Sequence, residues 1–222
     1  IAFLEAWVIN VALPAIQHAL SAWVAELQGI ASAYTVALAS LTLVSGAAGE
    51  RFGKVRFFIW GALGVALASL VSGFAMTPTQ LLAGRSLQGL AAALLVPNSL
   101  ALLSASFPRS ERGHAIGIWS GATALLGAGG PILGGWLVDV ASWRAAFFLV
   151  VPIALVAAML GIRRVPAPPV LRRAPAVDWG GGLLSTLGIA ALVSGVILAP
   201  VDRVAASLLV LVALLALAGF AR

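Results

Sequence analysis

The sequence predicts an all-α, polytopic membrane helical bundle, and three observations carry that prediction. The chain of 222 residues is 62% apolar and only 9% charged, with a mean hydropathy of +1.10. A soluble domain is nearer half apolar and about a quarter charged, so lipid must be the solvent for most of this surface. The apolar residues fall in runs, and roughly 20 such residues cross a bilayer as a helix. Stretches such as Ala205–Leu217 show no dyad alternation, which excludes a lipid-facing strand barrel.

Eight spans follow in order: 1–16, 27–48, 55–76, 79–106, 112–138, 144–162, 179–199 and 204–221. The first is apolar from Ile1 to Leu13 except at Glu5 and Asn10. It is too short to cross and reads as the second half of a helix. The second ends at a cluster of glycines and cations, and the third carries the chain back to Pro78. The fourth holds an arginine inside an apolar run, and the fifth is studded with glycines. The sixth ends at Arg163 and Arg164, where a proline-rich connector begins (Pro166, Pro168, Pro169, Pro175). Two further spans close the sequence. The organisation expected is therefore a six-span bundle over 1–162, a linker over 163–178 and two additional spans over 179–222.

The net charge of +6 does not indicate a nucleic-acid partner, because the cations cluster between spans. Arg51, Lys54, Arg56, Arg109, Arg112, Arg163, Arg164, Arg172 and Arg173 occupy alternate loops, against Arg144 and Arg203 in the others. By the positive-inside rule, the even-numbered spans end in the cytoplasm and the N-terminus is cytoplasmic. Trp23, Trp60, Trp136, Trp143 and Trp179 fall near span ends, as in an interfacial aromatic belt. There is no cysteine, and His18 and His114 lie far apart, so no metal site or cofactor is expected. The motifs G-x-S-x-G and H-E-x-x-H are absent, and no enzyme is expected.

Two charges lie inside apolar runs. Arg85 is about seven residues from Pro78, or about 10 Å deep at 1.5 Å per residue. A guanidinium there is costly unless it is paired, faces water or snorkels outward. Gln88 and Gly89 follow at i+3 and i+4, on the same helix face. Glu5 lies about nine residues before Pro14, at similar depth if the helix exits there. It is expected to face a central cavity, to exchange protons and to be coupled to Arg85. The alternative is a carboxylate at a water-exposed end with no role.

The segment Gly46-Ala-Ala-Gly-Glu50-Arg51-Phe52-Gly53-Lys54-Val55-Arg56 is the most specific motif. A helix hairpin obeying the positive-inside rule accounts for its cations. It is not a phosphate loop, because Ala48 stands where the first glycine belongs and Val55 replaces the magnesium-binding hydroxyl. The full pattern, G-x-x-x-(D/E)-R-x-G-(K/R)-x-(K/R), resembles the signature loop of the major facilitator superfamily. Three more motifs resemble that superfamily in the same order. Phe3–Pro14 is similar to the first-helix motif of drug:proton antiporters, L-D-x-T-x-x-N-x-A-L-P, with Asn10 matching and Glu5 and Trp7 replacing Asp and Thr. Arg85-Ser-Leu-Gln88-Gly89 resembles R-x-x-Q-G, and Gly130-Pro131-Ile-Leu-Gly134-Gly135 resembles the antiporter motif G-P-x-x-G-G. Packing alone also explains those glycines, because small residues four apart let helices approach in lipid. Trp143-Arg144-Ala-Ala-Phe147 then resembles the start of the sixth helix.

The short linker and two further spans resemble the fourteen-helix branch, of which this would be the N-terminal portion. The resemblance implies alternating access in the cytoplasmic membrane, exchanging protons for amphiphilic drugs or toxic compounds. Glu5, Asn10, Arg85 and Gln88 would line the coupling and substrate region. The Gly46–Arg56 segment would be a conformational latch against C-terminal helices of the same chain. An exporter or importer of one metabolite, or an inactive truncated membrane protein, is the alternative.

Overall fold

The computed structural model describes residues 2–165, 178–200 and 202–220. Among them are eight helices: α1 (Ala2–Leu20), α2 (Val24–Phe52), α3 (Lys54–Gly73), α4 (Pro78–Ser106), α5 (Arg112–Val140), α6 (Trp143–Arg164), α7 (Trp179–Leu198) and α8 (Arg203–Phe220). Seven of them, α2 to α8, are long and apolar enough to cross a membrane. The proline-rich part of the expected linker, 166–177, lies outside the described residues, while Arg163 and Arg164 belong to the last turn of α6.

Helix ends follow local chemistry. Pro14 lies inside α1 instead of ending it, because a proline removes one backbone donor without preventing its own helical φ. The stop comes at Ser21, with φ 49°, where Ala22 N–H reaches back to the Gln17 carbonyl at 3.2 Å. That is the 6→1 closure of a Schellman turn. α4 starts with Pro78 in its first turn behind Thr77, whose hydroxyl accepts from Gln80 N–H at 3.2 Å. α7 and α8 start at Asp178 and Asp202, whose carboxylates accept backbone N–H groups at 2.8–3.0 Å. Each arrangement satisfies donors that a helix N-terminus leaves open.

The expected loop between the second and third spans is reduced to one residue. α2 continues through Gly46, Glu50 and Arg51, and α3 begins at Lys54 and includes Arg56. Gly53 makes the joint with φ 110°, a backbone region that side chains disfavour. Lys54 Nζ lies 3.6 Å from Glu50 Oε1 across the joint. Phe52 stacks on Phe57 at 6.5 Å, and the Arg51 guanidinium lies over Phe52. The exposed ion pair contributes little stability; the geometry comes from the glycine.

α4 is the centre of the bundle, packed between α2 and α3. α3 also packs on α6, α1 on α5, and α7 on both α2 and α8. α3 and α4 come into backbone contact at Gly61 of α3, where a Cβ would lie 2.6 Å from Leu95 N and 2.9 Å from the Ala91 carbonyl oxygen of α4. Small residues at helix crossings give backbone contact where lipid supplies no hydrophobic drive for association. One buried apolar cluster joins Val65, Ala92, Leu95 and Ala154. A second, built from Ile9, Ile16, Leu81, Trp143 and Phe147, lies between α1, α4 and α6. Leu67, Leu125, Ile132 and Leu215 are at least 65% exposed, which suits a surface solvated by acyl chains.

Candidate functional site

The ionisable groups inside the bundle meet at the crossing of α1, α3 and α4. Glu5 projects from α1, Ser69 and Ser72 from α3, and Arg85 and Gln88 from α4; all five are buried. Gln88 Nε2 donates to Glu5 Oε1 at 2.6 Å and to Ser69 Oγ at 2.9 Å. Ser69 Oγ–H also donates to Glu5 Oε1 at 2.8 Å. On its other side, Gln88 Oε1 accepts from Arg85 Nη1 at 3.0 Å and faces Ser72 Oγ at 3.5 Å. The Arg85 guanidinium lies 4.5 Å over the Tyr34 ring of α2, a stacking that is worth most where the cation is desolvated.

The i, i+3 spacing of Arg85 and Gln88 places both side chains on one face of α4. Pro78 and Thr77 set where that helix starts, and hence how far down Arg85 sits. Ser69 and Ser72 repeat the same spacing on α3 and present two hydroxyls to the amide between them. Among the described residues, Glu5 Oε2, Arg85 Nε and Arg85 Nη2 are buried polar atoms with no hydrogen-bond partner. Glu5 also lines a cavity of about 10 Å³ with Val8, Ile9, Ala12, Ala146 and Phe147.

The placement of Glu5 differs from the expected one. Glu5 does not face an open cavity; it is 5% exposed and turned towards α3 and α4, where two donors meet one of its oxygens. It also makes no direct ion pair with Arg85 among the described residues, because Gln88 stands between them. Asn10 is exposed on α1, five residues from Glu5 and so about 140° round the helix. It does not join the cluster.

The other motifs form separate places. Gly130 and Gly134 are buried, Gly134 lies against Val8 of α1, and Gly135 is near Val11. Pro131 lies within the continuous helix α5. Near Gly46, at the foot of α2, Asn98 of α4 donates to Leu94 O at 2.8 Å and faces Ser45 at 3.4 Å. Among the described residues no group of three or more His, Asp or Glu could hold a metal ion.

Sequence reasoning missed Tyr34, Ser69, Ser72 and Asn98. The serine pair had a readable signal, namely two hydroxyls at i, i+3 in an apolar span. Tyr34 had another, as the single tyrosine in the chain.

A multi-pass helical bundle that seals an arginine and a glutamate within its membrane-spanning part has the features of a membrane transporter, since such charges mark ion or substrate pathways. The sequence profile of the Major Facilitator Superfamily matches residues 1–221, and the chain belongs to that superfamily. It is 37% identical over 197 residues to a tetracenomycin C resistance and export protein of Streptomyces glaucescens, covering 89% of this chain and 37% of that protein. It is 34% identical over 199 residues to a multidrug resistance protein of Mycobacterium tuberculosis, again covering 89% and 37%. The chain thus spans well under half the length of these curated relatives. Among solved structures, the peptide transporter PepTSo of the POT family shares the fold, with a TM-score of 0.66 at 16% identity, over 99% of this chain and 49% of that one.

Proposed function

We propose that this chain is the N-terminal part of a proton-driven exporter of amphiphilic drugs or toxic compounds in the cytoplasmic membrane. In this reading residues 1–162 form one six-helix bundle of an alternating-access transporter, and 179–222 form two additional helices. The cation bias between the spans supports a cytoplasmic N-terminus. Helices beyond this chain supply the other wall of the substrate path. Gly46–Arg56 works as the conformational joint, and Gly130–Gly135 as the seam of α5 against its neighbours.

The observation that carries the reading is the buried chain Glu5–Gln88–Arg85, with one carboxylate oxygen unpartnered. A carboxyl group sealed among helices is a place where a proton can be held and released as helices move. The names of the relatives support export as the direction. They also favour a second reading on substrate, because the protein of Streptomyces glaucescens is named for a single compound.

Uptake into inverted vesicles bearing the complete protein tests the proposal. An acid-inside pH gradient is expected to drive accumulation of several amphiphilic drugs, and a protonophore is expected to abolish it. Accumulation of only one compound favours the second reading. Accumulation indifferent to the gradient overturns proton coupling.

A further inference from the structure

Gln88 is placed between two opposite charges that would otherwise pair. A guanidinium only donates hydrogen bonds, and an ionised carboxylate only accepts them. The amide of Gln88 is therefore held in one orientation, its oxygen towards Arg85 and Ser72 and its nitrogen towards Glu5 and Ser69. Both donors to Glu5 end on Oε1, and Oε2 is left over. A proton can bind to Oε2 and leave again, converting carboxylate to carboxylic acid and back, without breaking any hydrogen bond of the network. A direct ion pair would behave differently. At contact in a low-dielectric interior, the attraction between two unit charges is many times its value in water, and the carboxylate would be held ionised.

We propose that Gln88 is a positioning residue, a neutral spacer that keeps Glu5 and Arg85 from closing into an ion pair and so leaves the Glu5 carboxyl free to exchange its proton. This rests on the proton-coupling reading above and adds a cause to it. Among the described residues, the ionisable or charged groups facing Glu5 are Arg85 on α4 and Tyr34 on α2. The facing α3 residues are serines, and the α6 residues beside Glu5 are Ala146 and Phe147. Tyr34 supports the same arrangement, because its ring occupies one face of the guanidinium. Ser69 does so by holding Gln88 Nε2 alongside the carboxylate.

The test is an infrared pH titration of the complete protein in detergent, following the carbonyl stretch of the protonated carboxyl. The band belonging to Glu5 is the one lost in Glu5→Gln. Two variants at position 88 separate spacing from structure. Gln88→Ala opens the gap and lets Arg85 close on Glu5. Gln88→Met fills the gap with a side chain of similar length that cannot bridge. The expected result is a midpoint about one to three pH units more acidic in Gln88→Ala, the shift an adjacent opposite charge produces, and no acidic shift in Gln88→Met. A merely structural role would move both variants together, and that result, or an unmoved midpoint in Gln88→Ala, overturns the spacer while leaving proton coupling standing. Absence of any titrating Glu5 band in the unaltered protein between about pH 4 and 10 overturns both.

Discussion

A leucine at Gly61 is expected to stop the bundle from assembling. The position a Cβ would take is 2.6 Å from Leu95 N and 2.9 Å from both Leu95 Cα and the Ala91 carbonyl oxygen. These are backbone atoms of α4, so no side-chain rotation relieves the overlap. α3 and α4 would have to separate, and the cluster of Val65, Ala92 and Leu95 would open with them. Overpacking a well-fitted interior costs about 1–3 kcal/mol, and a branched side chain against a backbone lies at or above the top of that range. The same displacement would carry Arg85 and Gln88 away from Ser69 and Ser72. The measurement is the yield of monodisperse protein on size exclusion, with the thermal unfolding midpoint. Gly117→Leu is the matched control, because nothing lies within 4 Å of the Cβ it would add, and it should leave both readouts close to those of the unaltered protein.

Glu5→Gln is expected to abolish proton-driven transport while preserving the fold. Glu5 Oε1 accepts from Ser69 Oγ and Gln88 Nε2, and the amide oxygen of glutamine can accept the same two bonds. The amide nitrogen takes the place of Oε2, which has no partner to lose. The unfolding midpoint should therefore move little. An amide cannot bind and release a proton across the working pH range, so accumulation driven by a pH gradient should fall to the level of empty vesicles. Exchange of labelled for unlabelled drug with no gradient should continue, because it needs substrate passage and no net proton movement. Loss of both activities, or of neither, would contradict the role given to this carboxyl.

Much of this was legible in the sequence for identifiable reasons. Glu5, Arg85 and Gln88 stood out because charge and amide are costly in an apolar run, and the i, i+3 spacing fixed Arg85 and Gln88 on one face of α4. The spacing along one helix does not determine which residue of another helix it meets. So the serines of α3 and Tyr34 went unnoticed, and the intermediate position of Gln88 could not be read. Helix ends were misjudged where a backbone detail decides them. The hydropathy pattern ends the first span at residue 16, just past Pro14, yet α1 runs on to the turn at Ser21. The span limits of 48 and 55 leave a loop of several residues within the signature segment. That segment is two helix ends joined at Gly53, since a single residue with positive φ suffices to reverse the chain there.

The central claim is that Glu5 releases a proton when substrate is taken up, and proton release on substrate binding tests it most directly. The complete protein in weakly buffered detergent solution, with a pH indicator, should acidify the medium when a transported drug is added. Glu5→Gln should bind the same drug with no acidification. Equal proton release by the two proteins would contradict the account, as would drug binding to the unaltered protein with no proton released at any pH tested.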